Sequence, residues 1–122
     1  MNYDETNEFK PDFKKLLKKF SSLIDDLEIN KQYRIELFHC KEIDSRSIFE
    51  IKGVGNTDII KFYKIKKFQC KSLKGFGARS GIRVIYAYLP KERKIVFLEI
   101  YYKASQGNES RQRIVDFLNK YN

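Results

Sequence analysis

The hydrophobic positions of the first third of the chain recur at the spacing of an amphipathic helix. Pro11 suits a first helical turn, where a missing N–H costs nothing. From there to residue 27, apolar side chains follow one another at intervals of three or four positions: Phe13, Leu16, Leu17, Phe20, Leu23, Ile24 and Leu27. The pattern predicts a single helix over residues 11–27.

The charges of this predicted helix are distributed unevenly along it. Asp25 and Asp26 stand at its C-terminal end, whereas its N-terminal half carries Lys14, Lys15, Lys18 and Lys19. The helix dipole favours the opposite arrangement, with acidic groups first and basic groups last. The lysines therefore have two interpretations, a solvated helix face or a face that contacts phosphates.

Three further segments of the N-terminal half have weaker patterns. Residues 1–9 are mostly polar and predict either a short edge strand or a flexible arm. Residues 31–44 fit a strand or a short helix, and we favour the helix. Residues 45–58 contain two glycines and predict a short strand that runs into a loop.

The second half of the chain has the pattern of a β-sheet. Residues 59–69 predict one strand, and residues 82–89 and 95–102 are nearly continuous apolar runs that suit central, covered strands. The segment 90–94 between those runs has a length common in β-hairpins. The two runs therefore predict a hairpin.

The last residues predict a second amphipathic helix. We expect Asn108 to be its N-cap and Glu109 to lie in its first turn, where an acidic group is favoured. We expect Glu109, Arg111 and Arg113 to be charges on its surface. Its apolar positions recur at helical spacing: Ile114, Phe117, Leu118 and Tyr121.

Pairing Leu89 with Ile95 gives the hairpin a definite register. Arg83 then lies opposite Tyr101, and alternation of side chains places four polar residues on one surface: Arg83, Glu99, Tyr101 and Lys103. The other surface forms the apolar floor of the core: Ile82, Val84, Tyr86, Tyr88, Val96, Leu98, Ile100 and Tyr102. The polar surface is either a solvated face with an Arg83–Glu99 salt bridge or a phosphate site with acid–base groups.

Composition points to an anionic partner. The 122 residues include 25 Lys and Arg against 16 Asp and Glu, for a formal net charge of +9. Such an excess indicates a nucleic acid, an acidic protein or a lipid surface as partner. A hydrophobic fraction of 42% is enough for a folded core, and we expect a single domain over residues 1–122.

Several classes of protein are disfavoured by the sequence. No apolar run approaches the length of a membrane span, and the acidic N-terminus differs from a secretory signal. We therefore expect a cytoplasmic protein. Cys40, Cys70 and the single histidine, His39, lack the spacing of a metal site. We expect two reduced, largely buried thiols and neither metal nor cofactor.

One string of residues is more specific than the net charge. Residues 79–86 (RSGIRVIY) precede a polar turn and an apolar strand that ends in Tyr101, Tyr102 and Lys103. Residues 63–65 (YKI) and 70–75 (CKSLKG) come before this string, and the first predicted helix opens with FKKL. In these residues the sequence resembles the RelE-like branch of the RelE/ParE superfamily, the toxins of bacterial type II toxin–antitoxin systems.

The resemblance implies an α+β fold: a small curved antiparallel sheet of about four strands, with two N-terminal helices packed on one face and a C-terminal helix. It implies an mRNA interferase, that is, a metal-free endoribonuclease that cleaves mRNA on the ribosome and inhibits translation. The alternatives are a ParE-like inhibitor of DNA gyrase and a non-catalytic module that binds antitoxin or RNA. The implied partners are a cognate acidic antitoxin, mRNA and the ribosome.

The resemblance also assigns site residues. By position, Arg79, Arg83 and Lys103 would hold the scissile phosphate. Glu99 is our candidate general base for attack by a ribose 2′-OH. Tyr101 or Tyr102 would stack a splayed base, and the RNA backbone would be bound by Lys64, Lys66, Lys71 and Lys74. Where members of the family place a catalytic His or Tyr near the C-terminus, this chain has Tyr121.

Overall fold

Five strands and the helices that cover them build the fold. The structure, a computed structural model, describes residues 1–73 and 80–121. In chain order it contains β1 (Asn2–Glu5), α1 (Phe9–Lys19), α2 (Leu23–Asn30), a π-helical segment (Lys31–Glu36), α3 (Leu37–Cys40), β2 (Ile48–Glu50), β3 (Lys61–Ile65), β4 (Ile82–Leu89), a 3₁₀ turn (Pro90–Glu92), β5 (Lys94–Tyr102) and α4 (Arg111–Tyr121).

The strands form a single sheet in the order β1-β5-β4-β3-β2. The predicted α+β class is confirmed, but the sheet has five strands and is mixed. Residues 2–5 add the edge strand β1, which runs parallel to β5, while the other neighbours are antiparallel. Among the described residues, none of the helices has the length and apolar character needed to span a bilayer.

The sheet has a hydrophobic core on each face. On the first face, Phe9 of α1, Leu23 and Leu27 of α2, and Phe20 between the two helices form a cluster with residues of β3, β4 and β5. On the second face, Ile114 and Phe117 of α4 pack on Phe62, Ile85, Ala87, Val96, Leu98 and Tyr101. We call these the helix-pair face and the α4 face. Both faces of the hairpin are therefore covered, as its apolar runs predict.

A bulge divides the β4–β5 hairpin into two registers. Ile85 pairs with Glu99, as predicted, but Tyr86 pairs with Phe97, so one extra residue is inserted in β5. Toward the turn, Leu89 consequently pairs with Lys94, and its predicted pairing with Ile95 is wrong.

The same bulge moves side chains between the faces. Val96 and Leu98, predicted on the apolar floor beneath the N-terminal helices, lie instead in the core of the α4 face. Ile95 and Phe97 take the corresponding places on the helix-pair face. A shift of one residue exchanges the two surfaces of a strand, which is why the prediction fails only beyond the bulge.

The predicted helix over residues 11–27 is broken in two. Phe20 leaves the helical conformation, with φ of −125° and ψ of 87°, and α2 begins at Leu23. Lys18 and Lys19 therefore lie in the last turn of α1, while Asp25 and Asp26 lie in the first turn of α2. Both pairs of charges now agree with the dipole of their own helix. The apparent conflict in the sequence was a sign of this break.

His39 lies far from the basic motif in sequence but contacts its strand in the fold. Its Nε2 lies 2.7 Å from the hydroxyl oxygen of Tyr86, and its ring centroid lies 4.0 Å from that of Tyr88 and 4.9 Å from that of Tyr63. Burial lowers the pKa of His39 to about 4. The neutral imidazole thus fastens α3 to β3 and β4.

The two cysteines have different environments. Cys70 is 4% exposed, as predicted, and burial raises the pKa of its thiol. Cys40 is exposed at the last position of α3, so the prediction that both thiols are largely buried is wrong for this residue.

Gly81 precedes β4 and can be tested for its conformation. Its φ is +85°, and a Cβ placed there would lie 3.3 Å from Cε1 of Tyr102. We expect Gly81→Ala to lower the free energy of unfolding by roughly 1–3 kcal/mol in urea denaturation. Gly107→Ala is the control, because a Cβ at Gly107 meets nothing within 4 Å. Equal stability of the two variants would contradict the assignment of strain.

The burial of His39 predicts a pH dependence of stability. Between its ordinary pKa and about 4, the unfolded chain binds a proton at His39 that the folded chain does not. The stabilising contribution is therefore complete above about pH 6.5 and is lost as the pH falls toward 4. We expect the His39→Gln variant to lack this pH-dependent contribution to the free energy of unfolding, which is on the order of 3 kcal/mol. Urea denaturation at several pH values measures the difference, and parallel profiles would contradict it.

Candidate nucleic-acid interface

Five of the ten predicted site residues lie on the α4 face, at the end of the sheet where β4 begins. Phe49, Lys64, Ile85 and Glu99 form one row across β2, β3, β4 and β5. In the neighbouring row Arg83 pairs with Tyr101, as predicted. The structure thus brings together side chains that come from segments far apart in the sequence.

Hydrogen bonds to two backbone carbonyl groups fix the side chain of Arg83. Its Nη1 donates to the carbonyl oxygen of Lys66 at 2.8 Å and to that of Ile82 at 3.3 Å. Glu99 takes other partners, so the predicted alternative of an Arg83–Glu99 salt bridge is not what the structure has. The guanidinium of Arg83 is held beside β3 with donors left over, since Arg has five N–H groups.

Glu99 is a buried carboxylate, and each of its two oxygens accepts a hydrogen bond. It is 3% exposed. Its Oε1 accepts a hydrogen bond from the backbone N–H of Ser110, and its Oε2 accepts one from Nε2 of Gln106, both at 2.8 Å. These bonds connect β5 to the loop that precedes α4. In this arrangement Glu99 positions the start of α4, and its role as general base stays a prediction.

The start of α4 is also fixed by an ion pair. Nζ of Lys64 forms a salt bridge with Oε1 of Glu109 and donates to Oδ1 of Asn108 at 3.1 Å. The charge of Lys64 lowers the pKa of Glu109, although burial acts in the opposite direction. Ser110, whose Oγ accepts from the backbone N–H of Arg113 at 3.4 Å, caps the helix in place of the predicted Asn108.

Neither Glu109 nor Arg113 is the free surface charge that the sequence suggested. The Glu109 side chain is 5% exposed in its pair with Lys64, and Arg113 forms a salt bridge with Asp12 of α1. Arg111, by contrast, is exposed as expected.

The two tyrosines predicted to stack a base lie on opposite faces. Tyr101 is 5% exposed in the core of the α4 face. Burial raises the pKa of its phenol to about 12, helped by Glu109 and Glu99 and opposed by Arg83. Tyr102 lies on the helix-pair face, with Nζ of Lys19 4.9 Å from its ring centroid. Tyr101 thus lies beside Arg83 but is buried, and Tyr102 lies on the other face of the sheet.

The remaining predicted residues are dispersed. Lys103 is exposed just beyond β5, where its N–H donates to the carbonyl oxygen of Gly81 at 2.8 Å. Lys71 lies on the other side of the sheet, and its N–H donates to the carboxylate of Asp26. Lys74 and Arg79 lie outside the described residues.

A cleft beside this cluster contains residues that sequence reasoning missed. It has a volume of about 180 Å³ and lies between β2, β3 and the first turn of α4. Its lining includes the predicted Lys64 and Lys66, together with Phe49, Glu50, Ile51, Lys52, Glu109 and Arg111. The only signal in the sequence for Phe49 is an aromatic residue within the short strand predicted in residues 45–58, which is too general to select it.

The structural role of Glu99 can be separated from a catalytic one. We expect Glu99→Ala to lower the free energy of unfolding by roughly 2–3 kcal/mol, because the N–H of Ser110 and the amide of Gln106 lose a charged acceptor. Glu92→Ala, at an exposed position of the 3₁₀ turn, is the matched control. Unchanged stability combined with lost activity on RNA would contradict the positioning role and restore the general base.

Comparisons with known proteins show a likeness at the level of the fold. No protein-family model matches the chain, and no curated protein does. Among solved structures, a chain of the archaeal RelE–RelB complex from Pyrococcus horikoshii OT3 superimposes with a TM-score of 0.50. The match covers 84% of this chain and 93% of that one at 13% sequence identity, so the likeness is one of fold. The chain has the fold of a RelE-like toxin.

Proposed function

We propose that this protein is the toxin of a type II toxin–antitoxin system and acts as an endoribonuclease on ribosome-bound mRNA, thereby inhibiting translation. The observation that carries the proposal is the pair of Lys66 and Arg83 on the α4 face of a RelE-like fold, with Lys64 next to them in its ion pair with Glu109. Cations on neighbouring segments suit a ligand with closely spaced phosphates.

The reaction is attack of a ribose 2′-oxygen on the adjacent phosphorus. The P–O5′ bond breaks, the products are a 2′,3′-cyclic phosphate and a 5′-hydroxyl, and the proton of the 2′-OH passes through solvent to the leaving oxygen. Arg83 is suited to hold the phosphate by two parallel hydrogen bonds. Lys66 and Lys103 would stabilise the negative charge that develops on the phosphorane. Arg79 and Lys74 retain the roles that the resemblance implies.

Acid–base groups contribute less in this proposal than charge stabilisation. On the described part of the α4 face, the carboxylates of Glu99 and Glu109 are committed to α4 and to Lys64. Fixed cations lower the barrier without a proton transfer to the protein, because they are oriented before the reaction begins.

We propose an acidic antitoxin as protein partner. The solved structure of similar fold is a complex of RelE with RelB. A chain with a net charge of +9 would attract an acidic partner, which would compete with RNA for the same cations.

Cleavage of a defined mRNA during cell-free translation tests the proposal. We expect Arg83→Ala to reduce the cleavage rate by roughly 100-fold, the usual effect of removing one group that stabilises transition-state charge. Lys91→Ala is the control, since Lys91 is exposed in the 3₁₀ turn at the far end of β4. Primer extension locates the cuts, and urea denaturation confirms that both variants fold.

The alternative functions predict different results in this assay, in a supercoiling assay with DNA gyrase and in a measurement of RNA binding. Intact mRNA together with inhibition of DNA gyrase supercoiling would identify a ParE-like inhibitor. RNA bound but not cleaved would identify a binding module, and either result would overturn the nuclease proposal.

A further inference from the structure

We propose that Phe49 and Lys66 form a stacking site for one unpaired base of a single-stranded RNA. The inference rests on the proposed function for the nature of the ligand and adds a base-binding subsite to it. Phe49 is 41% exposed, on the edge strand β2. Because it pairs with Lys64, its side chain shares the α4 face with the cations of the proposed site.

The contacts of the ring favour a nucleobase. Nζ of Lys66 lies 4.7 Å from the ring centroid of Phe49. The ring keeps its exposure with this lysine in place, so a base has access to it. Aromatic side chains inside a positively charged groove are the usual means by which proteins bind single strands.

The cleft beside Phe49 supplies charge for the backbone of the same strand. Its lining contains four cationic residues, Lys52, Lys64, Lys66 and Arg111, against the two carboxylates of Glu50 and Glu109. Since Glu109 is paired with Lys64, the remaining three cations face one carboxylate. The cleft therefore retains an excess of positive charge.

Arg111 is a cation at a position where the helix dipole favours an anion nearby. It is the first residue of α4, whose first turn contains no acidic residue. A cation at a helix N-terminus is disfavoured by the dipole. Nη1 of Arg111 donates to the carbonyl oxygen of Lys52 at 3.2 Å, which holds the guanidinium at the cleft. A phosphate beside Phe49 would compensate the charges of Arg111 and Lys66.

An acidic peptide would use these cations but has no need of an exposed aromatic face. A single-stranded nucleic acid uses both, through its phosphates and its bases. The combination therefore favours RNA over an acidic protein as the occupant of this cleft.

A tryptophan at position 49 provides a direct probe, because the chain contains no tryptophan. We expect the fluorescence of Phe49→Trp to be quenched by a single-stranded oligoribonucleotide, and to be quenched less by the same strand with abasic sites. Tyr33→Trp is the matched control, since Tyr33 is an exposed aromatic of the π-helical segment. We also expect Phe49→Leu to weaken RNA binding roughly 10-fold, with Phe49→Tyr close to the wild type.

The outcomes separate this inference from the proposed function. If the wild type cleaves RNA while Phe49→Trp responds equally to intact and abasic strands, the stacking site is wrong and the nuclease stands. If an acidic peptide quenches the variant and RNA does not, the cleft is a protein-binding surface and the inference is overturned. If the wild type neither binds nor cleaves RNA, both proposals fall.

Discussion

The bulge in the β4–β5 hairpin is the constraint on which the remaining structure depends. Without it, residues 95–98 would exchange faces: Ile95 and Phe97 would leave the core of the helix-pair face, and Val96 and Leu98 would leave that of the α4 face. With it, each face receives its own core, and Arg83 and Tyr101 still meet at the opposite end. One inserted residue thus lets a single pair of strands carry a helix-covered core on each face and a polar site at one end.

The electrostatics of the α4 face follow from burial on this sheet. Glu99 and Glu109 are excluded from solvent and bind the segment before α4, so their charges serve to position a helix. Lys66, Lys52 and Arg111 remain exposed at the rim of the cleft. These two carboxylates are bound internally while the three cations stay accessible, which leaves an excess of positive charge at the cleft where a polyanion can reach it.

The sequence predicts the parts of this structure that have strong periodicity. The hairpin and the C-terminal helix follow from alternation and helical spacing alone. The break at Phe20 and the bulge do not, because apolar spacing continues across both and tertiary packing decides where the backbone departs from it. Phe49 could not be selected either, since its importance comes from neighbours on β3 and α4 that only the fold brings near. The predicted pairing of Arg83 with Tyr101 rests on a wrong pairing at the turn, and it holds because the bulge confines the shift to the other side of Ile85.

The parallel pairing of β1 with β5 has a consequence for the order in which the protein forms. Residues 2–5 leave the ribosome well before their partners, residues 94–97. Contacts between such distant segments raise the contact order and close late. During synthesis the sheet therefore lacks this edge until residues 94–97 have emerged, although β1 itself was made much earlier.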